Sequence, residues 1–322
     1  MGYYIGVEIG GTKQQIVLGN EKCELIIKII ERIELLNGAS DILCWLNSEL
    51  ENLIAAGEYS GKIKGIGVGF GGPVDDKTGK TLFSVHVKGW EDFQLKKWIE
   101  ERTGISAFIG NDTAIGGMGE YYYGAGQGVN KLFYTNMGTG VGGCAYINGQ
   151  PHYDNGIGVV FIGFMPIPDW TCSEAGRFCI VEKICSGPSI TKRLRTLGYV
   201  EKKSQMYESS NDSNFSCEKL GEFCKKGDVF AVEEVRRIGN SFGLALTNLL
   251  SVFPAEKIVI GGGVANIGSV LFDAIRKSVH ETVFEQLKGK YEIVPSQLMD
   301  DAVPKGALKL AVLKCEPSST IL

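Results

Sequence analysis

Glycine in this chain is concentrated at particular places. More than half of the 44 glycines among 322 residues fall in six short windows, and no G-X-Y period or low-complexity tract accompanies them. Clusters of this kind at strand ends let a backbone turn with positive φ or approach a ligand closely. The pattern excludes a collagen or a linker and indicates a folded chain with specialised turns. The six windows are residues 6–11, 65–72, 110–128, 138–143, 156–163 and 261–263.

Two windows have the G-x-G-x-x-G spacing of dinucleotide-binding proteins. That fingerprint must lie between a strand and a helix, because the helix N-terminus receives the pyrophosphate. The first window continues into Pro73-Val74-Asp75 and the second into the strand-like CAYING, so neither fits. A P-loop is excluded too, because Gly79-Lys80-Thr81 would need a glycine where Val74 stands. The matching glycines are Gly67, Gly69 and Gly72, and Gly138, Gly140 and Gly143.

Three glycine turns remain after this exclusion. Residues 5–18 and 132–147 each read as strand, glycine turn, strand, and residues 258–266 read as strand, glycine turn, helix. Facing hairpin tips can donate backbone N–H groups to phosphates from two sides, and a glycine triplet lets an adenine lie on the backbone. Each turn alone is compatible with an ordinary tight turn. All three in this order favour a nucleotide site.

The remaining periodicity predicts an α/β protein. Helical patterns cover 40–56, with Ser40 as the N-cap, 113–123, 228–252 and 304–315. Residues 63–70 read as a buried strand, and Asn148-Gly149 is a hairpin signal that closes the second strand pair. The apolar stretch 156–168 is too short to cross a bilayer, which takes about 20 residues, and is predicted to be a buried strand pair.

The charge and the cysteine content limit which binding partners and which cellular compartment are expected. The net charge is −4, from 33 basic and 37 acidic residues without a block of one sign, so nucleic acid is not expected as a partner. No membrane segment is predicted, and the N-terminus lacks the basic region of a signal peptide. Most of the nine thinly spread cysteines are expected to be buried free thiols. These features predict a cytoplasmic protein.

Six motifs together resemble one protein family. EIGGTK at 8–13, MGTGVGG at 137–143 and IVIGGGV at 258–264 resemble the two phosphate motifs and the adenosine motif of the actin-like ATPase fold. With GFGGPVD at 69–75, GND at 110–112 and Ser186-Gly187, nearly the whole chain resembles a sugar kinase of the ROK family. The resemblance implies two ribonuclease H-like α/β domains with a cleft between them. They would span 1–111, with a C-terminal helix at about 306–322, and 112–305.

The resemblance also implies a set of site residues. Asp112 would be the general base that takes the proton from a sugar hydroxyl, which agrees with a chain of only three histidines. The alternative for Asp112 is to cap the following helix. Glu8 stands where the family usually has aspartate near the metal, and would hold Mg²⁺ through water. The sugar would contact Gly72, His86, Asn111, Asp112 and Glu182, and ATP would contact Gly10, Gly11, Thr12, Lys13, Gly138, Thr139, Gly140, Gly261, Gly262 and Gly263.

The sequence departs from the family pattern in one segment. Where the family usually has Glu-Ile-Gly-His-Met, this chain has Phe161-Ile162-Gly163-Phe164-Met165, so two groups that hold sugar hydroxyls are lost. Each unpaired hydroxyl costs about 1–3 kcal/mol in a buried site, so glucose itself is not a safe assignment. The two rings would either stack on a sugar face or an acyl group, or belong to the core. The family's zinc ligands are also missing, with Phe164, Ser173, Ala175 and Ile180 in their places, so no zinc site is expected.

Two function classes follow. The first is an ATP- and Mg²⁺-dependent kinase for a hexose or related sugar, with the homodimer that is the family's habit. The second is a catalytically weak regulator that binds a sugar or a nucleotide. Repressors of the family carry an additional N-terminal helix-turn-helix, and the first strand here begins near residue 4, so a DNA-binding domain is not expected. A generic ATPase or chaperone of the same fold is a weaker third alternative.

Overall fold

The computed structural model of the chain describes residues 2–11, 13–32, 38–84, 87–152, 159–172, 174, 176–212 and 215–316. Packing divides the chain into two compact units. The first consists of residues 1–128, 144–159 and 297–322, and the second of residues 129–143 and 160–296. Among the helices of the described residues, none has the length and the apolar character that crossing a membrane requires.

Strands and helices alternate along the chain. Up to residue 128 the elements are β1 (Tyr3–Ile9), β2 (Gln14–Asn20), β3 (Leu25–Glu31), α1 (Ala39–Ala55), β4 (Ile63–Phe70), β5 (Val74–Asp75), β6 (Lys80–Thr81), α2 (Leu95–Thr103), β7 (Ala107–Asn111) and α3 (Asp112–Tyr123). They are followed by β8 (Lys131–Met137), β9 (Val141–Ile147), β10 (Gln150–Pro151), β11 (Pro166–Pro168), β12 (Phe178–Ile180), α4 (Val181–Cys185), α5 (Gly187–Leu194), α6 (Tyr207–Ser210), α7 (Cys217–Lys225), α8 (Val229–Val252), β13 (Lys257–Gly261), α9 (Ser269–Thr282), β14 (Glu292–Pro295) and α10 (Ala302–Cys315).

The first unit is built on a mixed five-stranded sheet. Its strand order is β3-β2-β1-β4-β7, with β1, β2 and β3 antiparallel and β1, β4 and β7 parallel. Successive side chains of a strand point to opposite faces. Accordingly, Ile5 and Val7 of β1 join the core cluster that includes Leu46 of α1, whereas Tyr4 packs in a second cluster with Leu308 of α10. Helices therefore cover both faces of this sheet.

The glycines of β4 serve close packing of α10. A Cβ on Gly67 would overlap the carbonyl oxygen of Ala307, and one on Gly65 would come within 2.5 Å of the Sγ of Cys315. Gly119 of α3 and Gly306 of α10 likewise allow those two helices to touch through their backbones. These glycines differ from the expected turn or ligand-contact glycines, because the helix needs the space that a side chain would fill. The helix that packs on this part of the G-x-G-x-x-G segment is α10, which comes from a distant part of the sequence.

The second sheet has the strand order β10-β9-β8-β13-β14. Strand β13 runs parallel to both β8 and β14, and β9 runs antiparallel to β10. The predicted turn between β9 and β10 is confirmed, since Asn148 and Gly149 both have positive φ. In the second unit, Gly239 and Gly243 of α8 leave room for the backbone of α9. The predicted strand, glycine turn, strand pattern of 132–147 is confirmed as β8 and β9.

The structure bears on three expectations about helix and strand boundaries. Helix α1 begins after Gly38, whose φ of 69° suits glycine, and Ser40 is therefore inside the helix and is not its N-cap. The predicted buried strand pair at 156–168 is wrong for the described part, because residues 162–164 form a 3₁₀ turn, and β11 pairs with β12 and buries Ile167 between two exposed prolines. The boundary that we predict after residue 111 stays a prediction, although α3 packs within the first unit.

Candidate active site

Asn111 and Asp112 lie at the junction of β7 and α3. The side chain of Asn111 is the N-cap of α3: its Oδ1 accepts from the N–H groups of Thr113 (2.9 Å) and Ala114 (3.3 Å). Its Nδ2 donates to the carbonyl oxygen of Gly72 at 3.0 Å, so two predicted sugar-binding residues are brought together. A Cβ on Gly72 would meet the carbonyl oxygen of Phe83 at 2.6 Å, which explains why glycine is needed there. The capping function that we considered for Asp112 is carried mainly by its neighbour.

Asp112 therefore has a carboxylate that is not consumed by capping. Its Oδ1 accepts from the N–H of Thr113 at 2.7 Å, and its Oδ2 lies beside Gly71. The side chain is only partly buried. Burial raises the pKa of Asp112 to about 6, and hydrogen bonds from Thr113 and Asn111 oppose the rise. A carboxylate with a pKa close to neutral is suited to accept a proton from a substrate hydroxyl.

Glu8 faces Gln15 across the first hairpin. The two residues pair in the register of β1 and β2, and the Nε2 of Gln15 donates to the Oε2 of Glu8 and, at 3.1 Å, to the carbonyl oxygen of Asp300. Burial raises the pKa of Glu8 to about 7, and the Asp112 carboxylate adds to the rise, whereas Lys13 and Gln15 lower it. The Nζ of Lys13 lies 3.1 Å from the Oδ1 of Asp300. The first unit thus gathers Glu8, Lys13 and Asp112 in one electrostatically coupled group.

The oxygen atoms around Glu8 fit a hydrated magnesium ion. Mg²⁺ is usually held by one or two carboxylates and retains several waters. Glu8 supplies one carboxylate, and the Oε1 of the fully buried Gln15 is left without a hydrogen-bond partner within the described chain. No three Asp, Glu, His or Cys side chains of the described residues group closely enough to hold a metal by themselves. The donor set therefore suits a weakly held, water-rich cation.

The second unit contains the glycine loop between β8 and β9. Both ends of this loop are tied to a neighbouring helix: the Oε2 of Glu182 on α4 accepts from the N–H of Val141 at 2.8 Å, and the N–H of Gly187 on α5 donates to the carbonyl oxygen of Gly138 at 2.8 Å. A Cβ on Gly140 would come within 2.9 Å of the Glu182 carboxylate. Thr139 at the tip is exposed. Glu182 thus directly supports the predicted phosphate loop.

The aromatic pair that replaces the family's polar residues is not core. Phe161 is 41% exposed and Phe164 is 57% exposed, and their rings meet edge to face with centroids 5.9 Å apart. Between them, Gly163 packs directly on the backbone of Val141, where a Cβ would overlap the carbonyl oxygen. Gly163, between the two rings, and Glu182 therefore contact the same residue, Val141, at the end of the glycine loop. Of the two interpretations from the sequence, burial in the core is wrong.

The glycine triplet after β13 adjoins the same loop. Gly262 has a φ of 88°, and a Cβ there would lie 2.5 Å from the carbonyl oxygen of Met137, the residue before the loop. A Cβ on Gly263 would meet open space. The chain then continues as a 3₁₀ turn, Gly263–Ile267, into α9. The structure thus brings the predicted phosphate and adenosine motifs of the second unit together.

The predicted residues therefore form two groups, one in each unit. Gly10 and Gly11 form the turn from β1 to β2, in which the N–H of Gly10 donates to the carbonyl oxygen of Lys13 at 3.2 Å. Thr12 and His86 lie outside the described residues, as do Ser173 and Ala175 of the missing zinc pattern. The first group consists of Glu8, Gly10, Gly11, Lys13, Gly72, Asn111 and Asp112, and the second of Gly138, Thr139, Gly140, Phe161, Phe164, Glu182, Gly261, Gly262 and Gly263.

Two residues that contact the first group, Gln15 and Asp300, were not predicted from the sequence. Gln15 could have been found from the predicted hairpin, because a turn at residues 10–13 places it opposite Glu8. Asp300 carries no local signal, since only the packing of distant segments brings it to Lys13.

Several known proteins are similar to this chain over nearly its whole length. The profile of the ROK family matches residues 4–314. A glucokinase of Thermotoga maritima is 27% identical over 309 residues, 95% of this chain and 96% of its own. A putative xylose repressor of a Caldicellulosiruptor species is 26% identical over 97% of this chain and 78% of its own. The crystal structure of a ROK family glucokinase from Streptomyces griseus, in complex with glucose and AMPPNP, has a TM-score of 0.80 at 25% identity, covering 96% of this chain and 99% of that one.

These matches confirm the expected α/β architecture of the actin-like ATPase type. They span nearly the whole described chain, from the first strand to the last helix. The protein belongs to the ROK family.

Proposed function

We propose that this protein is an ATP-dependent kinase that phosphorylates a hydroxyl of a hexose or a related sugar. The observation that carries the proposal is the state of Asp112: Asn111 caps α3, so the partly exposed Asp112 carboxylate, with its raised pKa, is left for chemistry. The similarity to glucokinases over nearly the full chain supports the same conclusion.

Asp112 acts as the general base in this proposal. It accepts the proton of the attacking sugar hydroxyl as the oxygen forms its bond to the γ-phosphorus of ATP and ADP leaves. Asn111 orients the sugar while it holds the Gly72 carbonyl, so binding and helix capping are performed by one side chain. General-base catalysis of this kind contributes about 10²–10⁴-fold to a rate.

The charged residues of the first hairpin serve the phosphates. Lys13 neutralises phosphate charge, in competition with its ion pair to Asp300. Glu8 and Gln15 would hold Mg²⁺ through its water molecules, and the ion when bound supplies charge neutralisation at the transferred phosphoryl group. Ionised Glu8 is required for that role, so its raised pKa makes magnesium affinity dependent on pH.

The second unit binds the nucleotide in this proposal. The hydrogen bonds found in the glycine loop use the N–H groups of Gly138, Val141 and Gly142, so phosphate oxygens are expected at Thr139 and Gly140. The positive φ at Gly262 keeps the triplet 261–263 flat against Met137, which leaves the open side of Gly263 for the adenine.

The acceptor is expected to differ from plain glucose on one face. Phe161 and Phe164 present exposed ring surface where the family usually has a carboxylate and an imidazole. Such rings favour the apolar face of a sugar or an acyl substituent over additional hydroxyl groups. We therefore place N-acetylhexosamines and deoxy sugars beside the common hexoses as candidate acceptors.

A coupled assay of ADP release tests the proposal. Wild-type protein is incubated with ATP, Mg²⁺ and a panel of hexoses, N-acetylhexosamines and ketoses, beside Asp112→Asn and the exposed control Asp76→Asn. At least one sugar is expected to give turnover in the wild type and in Asp76→Asn, with loss of about 10²–10⁴-fold in Asp112→Asn. If no sugar gives turnover above Asp112→Asn, the kinase proposal fails.

The second candidate is a regulator that binds a sugar or a nucleotide without efficient turnover. The similarity to xylose repressors, the glutamate at position 8 and the two phenylalanines favour it. Calorimetric binding of a sugar or an ATP analogue to a protein that releases no ADP with any acceptor would support this function.

A further inference from the structure

A buried arginine joins the helices that hold the glycine loop. Arg193, in the last turn of α5, is 8% exposed, and its Nε donates to the Oε1 of Glu234 on α8 at 2.7 Å. Glu234 is 2% exposed, and its Oε2 accepts from the hydroxyl of Tyr199 at 2.9 Å. The remaining nitrogens of Arg193, Nη1 and Nη2, both donate to the carbonyl oxygen of Ile184 at 3.3 Å. One guanidinium group thus connects α4, α5 and α8.

An aromatic ring covers this cluster. The guanidinium of Arg193 lies 5.0 Å from the ring centroid of Trp170, which lies in the connection between β11 and β12. The Nε1 of Trp170 donates to the Oγ of Ser241 on α8 at 2.7 Å. The cluster formed by Arg193, Glu234, Tyr199 and Trp170, here called the Arg193 cluster, therefore has partners for both of its buried charges.

The connected helices are those that fix the glycine loop. Glu182 on α4 holds the N–H of Val141, and Gly187 on α5 holds the carbonyl oxygen of Gly138, so the two ends of the loop depend on two different helices. The carbonyl group of Ile184 lies at the end of α4. A helix leaves its last carbonyls without an intrahelical N–H donor, so this oxygen can accept from another group. Arg193 occupies that carbonyl and so sets α4 against α5.

We propose that Arg193 is a positioning residue for the nucleotide site, acting through Glu182 and Gly187 on residues 138–141. This inference rests on the proposed function only in assigning ATP phosphates to the loop. A buried ion pair contributes little net stability compared with apolar residues of similar size, whereas its geometry can fix how the surrounding elements fit together. The Arg193 cluster is thus expected to matter more for the loop than for the fold.

The test compares four variants of the full-length protein. Arg193→Met removes the charge, and Arg193→Met combined with Glu234→Met removes both charges, so that no unpaired buried carboxylate remains to impair folding. Arg193→Lys keeps a positive charge beside Glu234 but lacks the two guanidinium nitrogens that donate to the carbonyl oxygen of Ile184. The matched control is Arg237→Met, since Arg237 lies 5.7 Å from the same Trp170 ring but pairs with the exposed Glu233.

Two measurements do not need sugar turnover. The first is amide hydrogen exchange of the peptides that contain Val141 and Gly187, and the second is the affinity for a non-hydrolysable ATP analogue. The double variant is expected to fold, to exchange these amides at least about tenfold faster and to bind the analogue about tenfold more weakly, which corresponds to about 1.4 kcal/mol. Arg193→Lys should fall between it and the wild type, and Arg237→Met should match the wild type.

Unchanged exchange at both peptides in a folded double variant would overturn the proposal, as would equal effects of Arg237→Met. A wild-type protein that phosphorylates no sugar would refute the proposed function and leave the exchange measurement to decide the role of Arg193. Normal turnover with unchanged exchange would refute only the positioning role.

Discussion

At the scale of single residues, burial makes two carboxyl groups of the first unit weaker acids than surface carboxyl groups. The pKa of Asp112 rises to about 6 and that of Glu8 to about 7, and in each case burial is the largest cause. A raised pKa means that ionisation disfavours the folded state. The protein therefore keeps these groups at a cost in stability, which is common where residues serve chemistry.

The pH dependence of catalysis follows from these values. A general base must be ionised, so kcat/KM is expected to rise about tenfold per pH unit below pH 6 and to level off above it, as Asp112 loses its proton. Saturating Mg²⁺ keeps Glu8 ionised and isolates the contribution of Asp112. Initial rates at pH 4.5 to 8.5 with the best acceptor provide the measurement, and a flat profile over this range would argue against a carboxylate base.

The raised pKa of Asp112 also predicts that the folded protein becomes more stable when the charge of this side chain is removed. A carboxyl group with a raised pKa stabilises the fold while protonated, and this contribution is lost as the pH rises through about 6. At pH 8 we expect Asp112→Asn to stabilise the ligand-free protein by about 1 kcal/mol, after allowance for the partial exposure of the side chain. At pH 4 the gain should shrink, and the exposed control Asp76→Asn should show none. Thermal melts at both pH values measure it, and a loss of stability at pH 8 would contradict the electrostatic account.

The site residues differ in how far the sequence could predict them. The GND motif predicts Asn111 and Asp112 as site residues. It does not indicate which of the two caps α3, because that depends on where the helix begins. The burial of Gln15 follows from hairpin register. The pairing of Lys13 with Asp300 depends on packing between distant segments, which local patterns do not encode.

At the scale of elements, glycine has two different functions that composition alone does not separate. The turns after β1, β8 and β13 are marked by glycine next to β-rich runs, so they could be predicted from the sequence. The glycines of β4 instead leave room for α10, a helix more than 200 residues away in the chain. The 3₁₀ turn at 162–164 also escaped prediction, because its apolar residues, with Ile162 fully buried, are equally typical of a buried strand.

Two adjacent glycines test the proposed role of the triplet. Gly262→Ala places a Cβ 2.5 Å from the carbonyl oxygen of Met137 at a φ of 88°, so the turn must shift, whereas Gly263→Ala adds a methyl group into open space. We expect the first variant to weaken binding of an ATP analogue by about tenfold or more, since strain of this kind costs about 1–3 kcal/mol. If the adenine uses the open side of Gly263, the second variant weakens binding as well, because its methyl group takes up that space. Calorimetry compares the two, and equal affinity for wild type and Gly262→Ala would contradict the assignment.

At the scale of the whole molecule, the proposed kinase has its base in the first unit and its nucleotide loop in the second. The family, the α/β fold and the similarity to glucokinases extend over nearly the full chain. The acceptor is the part that the sequence constrains least, because Phe161 and Phe164 replace the residues from which a sugar could be inferred. The step to be tested is therefore the proposed transfer of a phosphoryl group from ATP to a sugar hydroxyl with the help of Asp112.

The most direct measurement follows the transferred group itself. Wild type, Asp112→Asn and Asp76→Asn are each incubated with ATP, Mg²⁺ and the pooled sugars, and the products are identified by mass spectrometry. We expect a sugar monophosphate from the wild type and from Asp76→Asn, formed about 10²–10⁴-fold more slowly by Asp112→Asn, if the protein is a kinase with Asp112 as its base. No sugar monophosphate from the wild type, or equal rates from Asp112→Asn, would contradict this proposal.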